Sequence, residues 1–424
     1  MNARTASLAL SLSLLASPPS LASDLTIDLG RGPVTVFVPS SYDREVPMPL
    51  VVALHGYSAS STWMENFLQL TPVAESVGFL YARADGTVDG SNNRFWNATD
   101  ACCDFFDAMP DDSRYLRALI EEIAARLAVD RRRIHLIGHS NGCFMSNRMA
   151  CEHADLIASF VGFGGATWSD ESLCANSEPV HMLHIHGTND TWIDYDGGLI
   201  DSVTYPGAVE TVETWAALNG CALVPEVSPT RLDLDTMVAG DETTVTRYVS
   251  ACDLGGSAEL WTLAGSGHVP ILTPQANEFV VRWLFAHPKP GAGTNHCAST
   301  PNSTGSPAVM RGEGSSSIAA ADLRLVAESL PRDQEALVFY GQDDAALPLG
   351  NGTLCVGSGG RGLFRFPVLD TGPSGRIEQP ITYAGRESQL AVGSTWRFQA
   401  WFRDPVAGGS GFDLSNGLTV VFRP

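Results

Sequence analysis

The stretch "RIHLIGHSNGCF", Arg133 to Phe144, decides how the rest of the chain is read. The β-prone run "RIHLIG" predicts a strand, and a helical pattern starts at once in "CFMSNRMACEH". Between them, Gly138 and Gly142 stand two positions before and two positions after Ser140. Small residues at those offsets let a strand and a helix pack closely across a sharp turn and expose the residue at its tip. Ser140 is either a nucleophile held up by that turn or only a small residue within it. The other residues have to supply what a nucleophile needs.

A serine hydroxyl needs a base to take its proton, a group that orients the base, and donors for the developing oxyanion. In strand–turn–helix sites the acid and then the histidine follow the serine along the chain. Of ten histidines, only His268, His287 and His296 follow the candidate acids. His287 and His296 sit beside or in a linker, whereas His268 lies in "LAGSGHVP", a glycine-rich loop after the strand-like "AELWTLA". His268 is the candidate base. His139 adjoins Ser140, but its side chain leaves the turn in another direction and is read as structural. For the acid, "HIHGTNDTWIDYDGG" offers Asp190, Asp194 and Asp196 after a buried strand. Asp190 is nearest the strand end and is the choice; an aspartate serving only a turn fits Asp194 or Asp196 better.

The oxyanion donors are expected to be the amides of Asn141, which follows the nucleophile, and of Tyr57 in "LHGYSAS", where Gly56 leaves room for a carbonyl. His181, His184 and His186 share the strand-like "VHMLHIHG"; His184 and His186 fall on one face and His181 on the other. That pattern predicts two hydrogen-bonded core histidines rather than a metal site. Trp63, Trp96, Trp168 and Trp192 fall in expected loops after strands. Trp96, Trp168 and Trp192 are the candidate substrate contacts, with ordinary packing as the competing reading.

Working outward, "PLVVALHG" (49–56) and "VHMLHIHG" (180–187) read as strands buried on both faces. "SRYLRALIEEIAARL" (113–127) puts Leu116, Leu119, Ile120, Ile123 and Leu127 on one helical stripe. "ETVETWAALNG" (210–220) and "NEFVVRWLFAHP" (277–288) read as further helices. Residues 24–288 therefore predict an α/β domain, a doubly wound, mostly parallel sheet with helices on both faces. Residues 289–296 read as a linker rich in Gly, Pro and Thr. Beyond it the period is two: Trp396, Phe398, Ala400 and Phe402 share one face, and Arg397, Gln399, Trp401 and Arg403 the other. Residues 297–424 predict a small antiparallel β-sandwich, stapled by Cys297 and Cys355.

Residues 1–22 carry an apolar run, "ASLALSLSLLA", and a small-residue cleavage triplet, Ser20-Leu21-Ala22. This is the pattern of a secretory signal peptide, and no later segment has eighteen consecutive apolar residues. The expectation is a secreted protein with no transmembrane segment. With 47 Asp+Glu against 26 Lys+Arg and a net charge of −21, nucleic-acid binding is excluded, because phosphate contacts need clustered cations. Nine cysteines in an exported chain point to disulfides. Seven precede residue 260, enough for three bridges and one leftover thiol. Zinc at Cys102-Cys103 lacks a supporting CxxC pair. No metal and no cofactor are expected.

"IGHSNGCFMSNRMACE", "LHIHGTNDTWIDYDGG", "VETWAALNGC" and "SGHVP", in that order, resemble the secreted polyhydroxybutyrate depolymerase and feruloyl esterase family of α/β-hydrolases, as do "WNATDACCD" and "DDSRYLRALIEEI". The similarity covers about residues 30–290. It implies a Ser140–Asp190–His268 triad and hydrolysis of carboxylic esters. It also implies a Cys221–Cys252 bridge, with Cys151 and Cys174 joined to each other or to the Cys102-Cys103 pair. Two departures stand out: Cys143 occupies a position where the family usually has glycine, and Val269 and Pro270 follow His268 where an aromatic is common. The tail resembles a C-terminal module of many secreted bacterial proteins, which carries no assigned activity.

Three readings follow. The first is a secreted serine esterase acting on an insoluble polyester or on feruloylated polysaccharide. The second is a peptidase of the same fold. The third is a surface-binding protein whose sandwich is its active part.

Overall fold

The computed structural model describes residues 23–174, 178–252, 255–289 and 291–423, so the expected signal peptide lies outside the described residues. Ten strands form the main sheet: β1 (Ser23–Asp28), β2 (Pro33–Val38), β3 (Met48–Leu54), β4 (Leu80–Ala84), β5 (Val129–His139), β6 (Ser159–Phe163), β7 (His181–Gly187), β8 (Glu226–Val227), β9 (Thr243–Tyr248) and β10 (Ala258–Leu263). Their order across the sheet is β1-β2-β4-β3-β5-β6-β7-β10-β9-β8. The central run from β4 to β10 is parallel throughout, and the pairs at both edges are antiparallel. This is the α/β-hydrolase architecture.

Among the described residues, six helices cover the sheet: α1 (Ser61–Leu68), α2 (Leu70–Val77), α3 (Asp112–Arg126), α4 (Asn141–Glu152), α5 (Ala208–Leu218) and α6 (Pro274–Ala286). The alternation along β3 shows how the layers are divided. Leu50, Val52 and Leu54 enter one core with Leu116 of α3, Phe144 of α4 and Trp215 of α5. Val51 and Ala53 enter the other with Met64 of α1, Leu70 of α2 and Val280 of α6. A large apolar side chain taken wholly out of water contributes roughly 1.5–3 kcal/mol, so a strand buried on both faces anchors both layers. Local signals start the helices where the pattern puts them. The Asp111 side chain accepts from Arg114 N at 3.0 Å at the start of α3, and Thr273 caps α6 ahead of Pro274.

The C-terminal region forms antiparallel sheets, the larger ordered 294–296, 417–421, 395–403, 335–341 and 364–365. A second sheet pairs residues 309–313, 324–328 and 377–380. Side chains of both sheets meet in one buried cluster that includes Met310, Leu325, Val338, Trp396, Phe398 and Phe402. Gln399 lies on the strand face opposite Trp396, Phe398 and Phe402. It is buried because the hairpin 343–357 covers it, and its side chain satisfies Cys355 N, Thr353 O and Ser415 O.

The described part of the expected linker, 289 and 291–296, is held in place. Residues 294–296 pair with 417–419 as a strand of the sheet. Lys289 N donates to Arg132 O at 2.7 Å, and Lys289 Nζ, buried, lies 2.6 Å from Glu178 Oε2. Ser315 Oγ donates to the same carboxylate, and Lys289 Nζ also donates to Ala154 O. Composition suggested flexibility here, but backbone pairing and a buried ion pair hold the segment. These contacts lie near the amino ends of β5, β6 and β7. They are roughly 25 Å from Ser140, judged by the eight residue steps from Arg132 along β5.

Removing one partner of a buried pair leaves an uncompensated charge. Lys289→Ala is expected to lower unfolding free energy by about 3 kcal/mol or more in urea titrations, with Lys289→Arg much less damaging.

Candidate active site

Parallel strands deliver their following loops to one rim of the sheet. Tyr57 follows β3, Ser140 follows β5, Asp190 follows β7 and His268 follows β10. At Ser140 the backbone turns from strand into helix with φ 54° and ψ −120°, outside the regions an L-residue adopts without strain. Its amide donates to Phe163 O at 2.7 Å, which pins the turn to the end of β6. The flanking glycines explain how the turn fits. A Cβ on Gly142 would run into the backbone of Leu54 and His55, and a Cβ on Gly138 into the carbonyl of Gly142. α4 therefore approaches the sheet at a distance that only glycine permits.

His268 Nδ1 lies 2.6 Å from Asp190 Oδ2. Neither Asp194 nor Asp196 takes this place; Asp194 Oδ1 accepts from Asp196 N within its own turn. Burial pushes the Asp190 carboxyl up, but hydrogen bonds from His186 and His268 outweigh it and hold the group below the ordinary carboxylate range. Asp190 Oδ1 accepts from the amides of Trp192 and Ile193, both at 2.9 Å. Gly164, at φ 54°, faces the pair: a Cβ there would stand 3.1 Å from Asp190 Oδ2 and 3.2 Å from His268 Nδ1. Because Gly164 follows the residue that receives the Ser140 amide, the pair and the serine border the same short segment.

The other expected base candidates are elsewhere. His287 Nδ1 bonds Trp283 O, and His296 is in the C-terminal sheet. His139 is structural, as expected: Nε2 lies 3.0 Å from His268 O, and a carbonyl only accepts, so His139 donates and supports the His268 backbone. Burial, then the neighbouring His268, lowers the His139 imidazole to about 3.

The Tyr57 loop reaches the turn as well. A Cβ on Gly56 would lie 3.2 Å from Ser140 Cβ. The Tyr57 hydroxyl donates to Asp89 Oδ2 at 2.5 Å, and Ser58 N donates to Arg94 O at 2.8 Å. Asn141 opens α4, where first-turn amides have no intrahelical acceptor. Its side chain does something the sequence did not reveal. Asn141 Oδ1 accepts from Trp96 N at 2.7 Å, Nδ2 donates to Trp96 O at 2.9 Å, and Cys102 Sγ lies 3.5 Å away.

Trp96 is therefore not a substrate contact. It is wholly buried, and its indole N–H donates to His55 O at 3.0 Å, so it braces the Tyr57 loop from below. Trp168 is likewise in the core, and Trp63 lies in α1, stacked on Phe67, rather than in a loop. A tryptophan after a strand looks the same in sequence whether it points up or down. Trp192 is 78% exposed and lies nearly parallel to the His268 ring, centroids 6.2 Å apart. The disulfides are Cys102–Cys103, Cys151–Cys174, Cys221–Cys252 and Cys297–Cys355, with Cys143 free and buried.

Residues 51–282 match the profile of the family described as "Alpha/beta hydrolase family". The chain belongs to the alpha/beta hydrolase family. Among curated hydrolases it is 31% identical over 201 residues to feruloyl esterase B of Piromyces equi, a match covering 46% of this chain and 36% of that protein. It is 23% identical over 272 residues to the bifunctional acetylxylan esterase/xylanase XynS20E of Neocallimastix patriciarum, covering 63% of this chain and 36% of that protein. Feruloyl esterase C of Emericella nidulans is 26% identical over 188 residues, covering 43% of this chain and 60% of that protein. The matched stretch thus spans only about a third to three-fifths of these relatives. Among solved structures, the acetyl xylan esterase from Aspergillus awamori shares 17% identity at a TM-score of 0.45, over 62% of this chain and 99% of that one.

His135, His139 and His181 are each held neutral by burial, lowered from 6.5 to about 3. Between those values the unfolded chain binds protons that the folded chain does not, so stability is full above pH 6.5 and falls as pH drops toward 3. Calorimetry is expected to show the melting midpoint falling through this window, and His139→Gln to flatten part of the fall.

Proposed function

We propose that this hydrolase is an exported serine esterase that cleaves carboxylic esters through an acyl-enzyme, with Ser140 as nucleophile, His268 as base and Asp190 as the acid that orients it. One observation carries the reading: a serine in a strained strand-to-helix turn, at the same rim as a buried carboxylate hydrogen-bonded to a histidine of a neighbouring loop.

Asp190 accepts the Nδ1 proton of His268, which leaves Nε2 as the base. His268 takes the Ser140 proton as the hydroxyl attacks the ester carbonyl. The amides of Asn141 and Tyr57 receive the oxyanion, each contributing about 3 kcal/mol to the barrier reduction. His268 returns the proton to the departing alcohol, and water then repeats the sequence on the acyl-enzyme. No step calls for a metal or cofactor.

For substrate, the exposed Trp192 ring beside His268 supports a flat hydroxycinnamoyl group or an aliphatic polyester segment laid against it. Relatives named feruloyl esterase favour feruloylated polysaccharide; the polyhydroxybutyrate-like motifs keep polyester as the second class. Four disulfides fit export with residues 1–22 as leader. Residues beyond 296 are proposed as an accessory sandwich that stands away from the reacting rim.

The test is hydrolysis of methyl ferulate, polyhydroxybutyrate film and p-nitrophenyl acetate by the mature protein. Ser140→Ala is expected to lose at least about a thousandfold in kcat on every accepted ester, and Asp190→Asn a comparable factor. Full activity of Ser140→Ala refutes the assignment. Trp192→Ala is expected to raise KM for methyl ferulate several-fold.

A further inference from the structure

Asp190 is gripped from behind as well as from the substrate side. His186 Nε2 lies 3.2 Å from Asp190 Oδ2 and 2.9 Å from Ile193 O. A carboxylate and a carbonyl only accept, so this nitrogen carries a proton. His186 Nδ1 in turn lies 2.9 Å from His184 Nε2, and His184 Nδ1 lies 4.0 Å from Cys143 Sγ. For two neutral rings, the contacts set the roles along the chain as follows. His186 Nδ1 is bare and accepts, His184 Nε2 donates to it, and His184 Nδ1 accepts from the thiol. Every donor points toward Asp190, and no two donors or two acceptors oppose each other. Cys143, His184 and His186 are all buried. The Tyr195 ring closes the far side of His186, with centroids 5.5 Å apart, and its hydroxyl is engaged with Thr262.

We propose that Cys143, His184 and His186 form a one-way, uncharged donor chain that fixes the Asp190 carboxylate, making His186 a positioning residue for His268; this rests on the esterase reading above. With the His268 N–H on Oδ2, His186 Nε2 3.2 Å from the same oxygen and two amides on Oδ1, the carboxylate is held through both oxygens. His268 is then kept with its proton on Nδ1 and Nε2 open toward Ser140. Burial keeps the Cys143 thiol protonated and His184 unprotonated, consistent with these roles.

The first experiment is ¹H–¹⁵N correlation of the full-length, disulfide-bonded protein with labelled histidine at neutral pH. His184 and His186 are expected as Nε2–H tautomers with bare Nδ1. A doubly protonated ring at either position, or a His184 proton on Nδ1, overturns the chain. The second is steady-state hydrolysis of p-nitrophenyl acetate. His186→Leu is expected to lower kcat about tenfold to a hundredfold, as misplaced catalytic groups do, with KM within about twofold. His186→Gln, whose amide nitrogen reaches the Nε2 position, should recover most of the loss. Equal losses in both variants, or no loss in either, overturns the positioning role. Retained activity in Ser140→Ala would refute the esterase reading instead, and the tautomer measurement stands apart from either.

Discussion

The approach of α4 to the sheet at its first turn governs the rest of the rim. At Gly142 the helix backbone lies against Leu54 and His55, so close that a methyl group has no place. That contact lets β5 reverse directly into a helix, and it forces Ser140 into its left-handed backbone geometry. A backbone held this way costs on the order of 1–3 kcal/mol. The apolar burial of α4, through Phe144, Met145 and Met149, offsets it.

Around this turn the protein uses several histidines as neutral spacers. His55 bridges Gly56 O and Gly86 N, His139 supports the His268 backbone, and His184 bonds His186. Desolvation lowers the basicity of His55, His139 and His184, so these rings supply directional hydrogen bonds without adding positive charge beside Asp190. The carboxylate's negative charge thereby remains directed at His268.

Much of the site was legible along the chain because each part had a local sign. Gly138 and Gly142 marked the turn, "HIHGTND" joined a buried strand to an acid, and the glycine-rich loop marked His268. Elimination among histidines left His268, because chain order in this fold restricts where base and acid can stand, and the structure brings its Nδ1 to 2.6 Å from Asp190 Oδ2. The errors had a common cause. Trp96 and Trp168 were candidate substrate contacts with packing as the competing reading, and both are buried, as is Gln399. Residues 294–296 were expected in a linker, yet a strand more than a hundred positions away pairs with them. Neither periodicity nor composition reports what packs on top.

By itself the sequence determined the α/β class, the strand–turn–serine–helix element, and the order in which acid and histidine follow it. These depend on side-chain period and backbone permissiveness, which are properties of neighbouring residues. Only the tertiary structure decided that Asn141 clamps Trp96, that His186 reaches Asp190 from behind, and that Glu178, Lys289 and Ser315 meet far from Ser140. The contacts of Asn141, Lys289 and Ser315 join residues 45, 111 and 137 positions apart and depend on how strands stack in the sheet, whereas His186 and Asp190 are only 4 apart and meet because the turn after β7 folds back on the strand end.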